Sequence, residues 1–122
     1  MAEPYLPQQT LIDAYGDGGF RFAGMAHNGA ILCLPDGIRA WPVPTVGALT
    51  DAALALVFAQ ADNFDFFILG TGAQPWTVPD ALRVHFRDRH MSLDAMMTAA
   101  AVRTYNVMLM ESRRVGAGLI AV

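Results

Sequence analysis

The sequence predicts a single α/β domain that opens with antiparallel strands and continues as alternating helices and strands. Three observations carry this reading. The opening third is rich in turns, with short apolar runs at 20–22, 30–34 and 38–41 set apart by Asn28-Gly29 and Pro35-Asp36-Gly37. Residues 64–69 form a nearly unbroken apolar run, the pattern of a strand buried on both faces. With 122 residues, 54% hydrophobic and 16% charged, the chain is long enough for one core and too short for two.

Residues 1–10, with Pro4 and Pro7, read as a flexible N-terminal arm, and the single domain spans 11–122. Phe20-Arg21-Phe22 alternates apolar and polar side chains and is expected to pair with 30–34 as a hairpin about Asn28-Gly29. A third strand at 38–41 stops at Pro42 and Pro44, which lack a ladder donor. Thr50 or Asp51 then caps a helix to Gln60 whose Ala and Leu residues favour helix. The 64–69 run follows as a central strand, with Ile31, Leu119 and Ile120 expected to be buried, and Gly70-Thr71-Gly72 breaks it.

Pro79 suits a first helical position and Asp80 the positive end of a helix running to 89, with Leu82, Phe86 and Val84 as its inward stripe. A short strand is expected at 92–95. Thr98 is read as the N-cap of a helix to 113 that places Val102, Tyr105 and Leu109 on one face, and 115–122 closes the chain as a strand. The order is β-β-β-α-β-α-β-α-β.

Composition excludes several function classes. The net charge is −3, all eight basic residues are arginine and acids outnumber bases, so no basic stripe for nucleic acid is present. No apolar run approaches the roughly 20 residues of a membrane span. Residues 1–10 contain Glu3 and no arginine, unlike a secretory signal or an Arg-rich transit peptide, so the expected compartment is the bacterial cytoplasm. Cys33 is the one cysteine, which rules out an internal disulfide and a CxxC zinc module, and its apolar surroundings describe an inert small hydrophobe.

Catalytic patterns are also missing. His27, His85 and His90 have no histidine at i, i+4, so no metal site is expected, and neither Ser92 nor Ser112 lies in a G-x-S-x-G elbow. The methionines between 91 and 110 suit core gap filling. No cofactor is expected.

The remaining candidates are binding groups. Gly70, Thr71 and Gly72 lie where a buried strand ends, a place where open α/β sheets bind ligands and backbone N–H groups can approach an anion. They do not form a dinucleotide fingerprint, because the third glycine would fall at Pro75. Arg103 and Asn106 share a helix face with Met110, and Glu111 and Arg113 follow at its end; guanidinium, amide and carboxylate together could fix a polar or anionic ligand. Trp41 and Trp76 each sit beside a proline at a strand end or in a loop. Trp76, followed by Arg83 and Arg87 on the next helix, has the residue types that anchor protein partners.

Several segments together resemble the Mth938-like domain family. They are Gly19-Phe20, Trp41-Pro42, Gly70-Thr71-Gly72, the run from Met97-Thr98 through Arg103-Thr104-Tyr105-Asn106 to Val107, and Glu111-Ser112-Arg113-Arg114-Val115. The resemblance covers residues 11–122 and is most specific between Thr98 and Asn106. It implies a three-layer α/β fold with a mixed central sheet. Its signature residues fall here on Gly70, Gly72, Thr98, Arg103, Tyr105, Asn106, Glu111 and Arg113. The family carries no established enzyme activity, and its mitochondrial branch includes an assembly factor for respiratory complex I that works with a partner protein.

Two function classes follow. One is a non-enzymatic protein-interaction or assembly factor, peripheral to membrane complexes, with a protein partner and a monomeric or weakly self-associating chain. The other is a small anionic-ligand-binding domain, or an uncharacterised enzyme, using the cleft at Gly70–Gly72.

Overall fold

The computed structural model describes residues 6–122. Among them are eight strands in two sheets and three α-helices. β1 (Ala14–Gly16), β2 (Gly19–Phe22) and β3 (Met25–Asn28) form a small antiparallel sheet. β4 (Ile31–Leu34), β5 (Gly37–Ala40), β6 (Phe66–Gly70), β7 (Ser92–Met96) and β8 (Val115–Leu119) form the main sheet in the order β5-β4-β8-β6-β7. It is mixed: β4 runs antiparallel to β5 and β8, while β6 is parallel to both β7 and β8.

The helices are α1 (Asp51–Ala59), α2 (Asp80–Arg87) and α3 (Thr98–Met110). Side-chain alternation sorts them onto the two faces of the main sheet. Ile31, Cys33, Ile68, Ala117 and Leu119 point to one face, where they meet Ala101, Val102 and Tyr105 of α3 and Phe20 and Phe22 of the small sheet. Leu32, Leu34, Phe67 and Leu69 point to the other, where they meet Leu54 and Val57 of α1 and Phe86 of α2. The result is three layers, with the main sheet in the middle and a core on each side.

The 64–69 run behaves as its lack of alternation predicts. Its strand begins at Phe66, is paired on both edges and is covered on both faces, and Ile31, Leu119 and Ile120 are buried. β8, the middle strand, solves a packing problem. Val115, Ala117 and Leu119 fill the α3 side, whereas Gly116 and Gly118 leave the opposite face bare. A Cβ at Gly118 would lie 2.5 Å from the Trp41 ring, and one at Gly116 would lie 3.0 Å from Phe64. Two aromatic rings occupy the space that side chains would need.

The opening third departs from expectation. Asn28-Gly29 does not close a hairpin between 20–22 and 30–34; it carries the chain from β3 in the small sheet to β4 in the main one. β2 pairs instead with β1 and β3 across Asp17-Gly18 and Ala23-Gly24. Each of these turns has positive φ at both central residues (52° and 76°, 50° and 75°), the backbone of two-residue hairpin loops. Strands β1 and β3 are too short and too exposed to show an apolar run.

Other boundaries shift by a few residues. Trp41 falls just past β5, α1 ends at Ala59 and α2 starts after Pro79, its N-cap. Thr50 caps α1 by accepting the Ala53 N–H. α3 ends at Met110 rather than 113 because Ser112 takes a left-handed φ of 60°, and the Ser112 and Arg113 N–H groups close back on Leu109 and Met108. Thr98 is the first helical residue and not the cap, since its hydroxyl is used elsewhere.

Of the expected arm, residues 1–5 lie outside the described residues. The part from Leu6 is bound to the domain: Leu6 exchanges both backbone hydrogen bonds with Ile38, and the Gln9 side chain donates to Val115 C=O at 2.7 Å.

Candidate functional site

The loop Gly70-Thr71-Gly72 joins three elements. The Thr98 hydroxyl donates to Ile120 C=O at 2.7 Å and accepts the Gly72 N–H at 2.9 Å, so its hydrogen and one lone pair are both used. Thr98 N–H donates to Gly72 C=O, and Thr71 N–H to Met96 C=O at 2.8 Å. Gly72 has φ +96°, a backbone that favours glycine. Gly70 lets α3 approach β6: a Cβ there would meet Thr98 Oγ1 at 3.0 Å and Ala101 Cβ at 3.2 Å. The N–H groups of Thr71 and Gly72, which an anion would need, already have acceptors within the chain.

Arg103 and Asn106 lie elsewhere. They line a hollow of about 230 Å³ with Ile12, Asp13 and Tyr15, on the side of α3 that faces the start of β1. Arg103 is exposed. The Asn106 amide acts as a substitute strand edge: Oδ1 accepts the Ile12 N–H at 2.8 Å and Nδ2 donates to Ile12 C=O at 2.9 Å. Next to it the buried Tyr105 hydroxyl donates to Thr10 C=O at 3.1 Å. Two signature residues of α3 therefore hold the segment before β1 in place.

Tyr105 also lies against the Cys33 thiol. Burial pushes Cys33 up to about 12, with the Tyr105 hydrogen bond drawing it back only in part. Burial likewise raises Tyr105, and the nearby Cys33 adds to the shift. A thiol held so far above neutral pH is not a nucleophile, in line with an inert core cysteine.

At the far end of α3, Glu111 and Arg113 are exposed and 3.8 Å apart, and the Arg113 guanidinium lies 4.9 Å over the Phe66 ring. Glu111 and Arg113 do not line the Arg103 hollow. The residues Gly70, Thr71, Gly72, Arg103, Asn106, Glu111 and Arg113 thus occupy three places rather than one cleft.

Trp76 is half-buried and packs against the core beneath α1 and α2. Arg83 and Arg87 are exposed on α2, and Val84, expected to face inward with Leu82 and Phe86, is exposed as well at 38%, because only Phe86 and Leu82 lie on the side turned to the core.

One site was not foreseen. Between β5 and α1 runs a groove of about 420 Å³ lined by Leu32, Ala40, Trp41, Pro42, Ala52 and Leu56, among other apolar groups. Among the described residues, Arg39 is the one charged residue in its lining, and it is 2% exposed. In β5 it lies opposite Leu32, on the α1 face of the sheet. Its Nη2 donates to Asp36 in the β4–β5 turn, while Nε is buried without an acceptor among the described residues. Burial alone would raise the Asp36 carboxyl, but hydrogen bonds from Arg39 and Gln60 and the Arg39 charge outweigh it and hold it below its usual value. The signal in the sequence was an arginine inside an apolar strand, Gly37-Ile38-Arg39-Ala40.

Among the described residues, no group of three or more His, Cys, Asp or Glu could hold a metal ion, and no helix is long and apolar enough to cross a membrane.

Comparison with known proteins gives a consistent picture. Residues 12–120 match the model of a family described as a protein of unknown function, DUF498/DUF598. An uncharacterized protein of Rhodobacter capsulatus is 36% identical over 118 residues, which is 97% of this chain and 90% of that one. A Rhodopseudomonas palustris protein solved by NMR is 46% identical, with TM-score 0.87, covering 100% of this chain and 90% of that one. A crystal structure from Bartonella henselae, described as an outer membrane protein, is 42% identical with TM-score 0.89, covering 97% and 99%. A Bordetella pertussis structure described as a Mth938-like domain is 25% identical with TM-score 0.79, covering 90% and 84%.

Proposed function

The chain belongs to the Mth938-like family, DUF498/DUF598, and from that premise we propose that it is a non-enzymatic interaction module, an assembly factor that binds a protein partner through Trp76 and the outer face of α2. The observation that carries this reading is how the signature side chains are used. Thr98, Tyr105 and Asn106 spend their hydroxyls and amide on the chain's own backbone, as fold-holding groups do. Among the described residues, Trp76, Arg83 and Arg87 have no such engagement and stand partly or fully open. The partner class we favour is a subunit of a respiratory or other membrane-bound complex, met from the bacterial cytoplasm by a monomeric or weakly self-associating chain. The alternative, an anion held at Gly70–Gly72, draws no support from a loop whose Thr71 and Gly72 N–H groups already have acceptors.

Trp76→Ala and the double variant Arg83→Ala/Arg87→Ala test the reading. Because Trp76 packs on the core, its truncation should cost about 1–2 kcal/mol of stability, whereas the arginine pair should stay within about 0.5 kcal/mol. Both should lose the partner in quantitative affinity capture from the native host. A partner retained by both variants would overturn the assignment, whatever the melting temperatures.

A further inference from the structure

The groove between β5 and α1 shares no lining residue with the surface just proposed. Its origin lies in the composition of α1. The segment Asp51–Ala59 carries one charged residue, at its first position, and is otherwise apolar all round. A helix of that kind is ordinarily buried all round. Here only Leu54 and Val57 are buried, and Ala52, Ala55 and Ala59 remain exposed. Their methyl groups are too small to fill the space above β5, so a groove of about 420 Å³ remains, within the roughly 300–1,000 Å³ of small-molecule sites.

Its wall is preformed. The Trp41 ring is 4% exposed and is fixed by its Nε1–H, which donates to Ala53 C=O at 2.8 Å. Its polarity is one-sided. A guanidinium carries five N–H donors and no acceptor. Asp36 engages Nη2 from the solvent side, with its own side chain 52% exposed, and Arg39 Nε is left buried and, among the described residues, unpartnered. A buried donor on a charged group is costly until an acceptor reaches it, and an anionic acceptor fits best.

We propose that this groove binds a small amphiphilic acid, a monocarboxylate with a medium-length alkyl or arylalkyl body. Its carboxylate faces Arg39, and its body lies along Ala52, Ala55 and Leu56 against Trp41 and Pro42. A cationic head would meet the Arg39 charge, and a neutral one would forgo the charge-assisted bond.

The probe is octanoate, titrated below its micelle-forming concentration into the ¹⁵N-labelled full chain, with octylammonium and 1-octanol alongside. Octanoate should move the amide signals of Ala52, Ala55 and Leu56 and the Trp41 indole signal, and bind at least about tenfold more tightly than octylammonium. Arg39→Met should keep the fold, since an apolar side chain replaces a buried ion-pair member, and reduce octanoate to the affinity of octanol. Ala55→Phe, at an exposed position, should fill the groove and abolish binding without lowering the melting temperature. Trp76→Ala should leave octanoate binding unchanged, which separates this proposal from the partner surface. Unmoved signals up to about 10 mM octanoate, or equal binding of octylammonium, would overturn it. So would the same amides shifting on dilution of the protein alone, because a second copy would then be the occupant.

Discussion

Replacing Gly118 by alanine tests the packing at the middle of the main sheet. A strand glycine normally gains about 0.5–1 kcal/mol on becoming alanine, because the unfolded chain loses freedom. At Gly118 the added Cβ would sit 2.5 Å from both Cη2 and Cζ3 of Trp41 and 3.0 Å from Cζ of Phe67. The ring cannot retreat freely, since it is 4% exposed and donates to Ala53 C=O. Overpacking of this kind costs about 1–3 kcal/mol, and breaking the indole hydrogen bond adds about 1–3 kcal/mol. With each cost near the middle of its range, and after the backbone gain, Gly118→Ala should therefore destabilise by about 2–4 kcal/mol. At about 2.1 cal/mol/K of unfolding entropy per residue, this chain loses about 4 °C per kcal/mol, so melting should fall by about 8–15 °C.

Trp41→Phe supplies the control. Phenylalanine lacks the outer ring that carries Cη2 and Cζ3, so in that background Gly118→Ala should cost no more than about 1 kcal/mol, from Phe67 alone. The coupling between the two sites should reach about 2 kcal/mol, well above the few tenths expected of independent positions. Urea unfolding of all four proteins measures it. A Gly118→Ala variant as stable as the parent, or an equal cost in both backgrounds, would refute the argument.

Thr98→Val removes one hydroxyl and leaves both the Gly72 N–H and the Ile120 C=O without it, so urea unfolding should show a loss of about 3 kcal/mol, with Thr98→Ser far milder. Ala23, at φ 50° in a two-residue hairpin turn, should be improved by Ala23→Asn, raising the melting temperature by about 2–4 °C. Asp36 has a folded pKa below its unfolded value, so its contribution is complete above the ordinary 3.8 and is lost as pH falls through the folded value. Melting curves from pH 6 to pH 2 should accordingly show parent and Asp36→Asn converging at the acid end, the parent being the more stable at pH 6. With its thiol raised to about 12, Cys33 should resist a disulfide reagent at pH 8 in the native protein and react at once in denaturant.

Much of the α/β half was legible because its signals are local. The 64–69 run lacks alternation because β6 has a core on each face, and Thr50 and Pro79 mark helix starts through groups within a few residues of each other. The small sheet was harder to read. Asp17-Gly18 was an available hairpin signal, but Ala23-Gly24 is not, and β1 and β3 are too short and too exposed for an apolar pattern. Asn28-Gly29 has the composition of a hairpin turn and makes a step between sheets, because β2 finds a nearer partner in β3.

By itself the sequence determined the size of the core, the alternating α/β plan and an inert Cys33, since these follow from composition and from contacts within one element. Only the tertiary structure decided what the conspicuous polar residues do. Thr98, Tyr105 and Asn106 share a helix and could have faced a ligand; they meet Gly72, Ile120, Thr10 and Ile12, residues 22 to 95 positions away in sequence. The burial of Arg39, 2% exposed, depends on the packing of α1 beside β5 and has no counterpart in the local sequence. A hydrogen-bonding side chain is specified by its type, but its partner is specified by which distant backbone the fold brings within about 3 Å, and no local pattern encodes that distance.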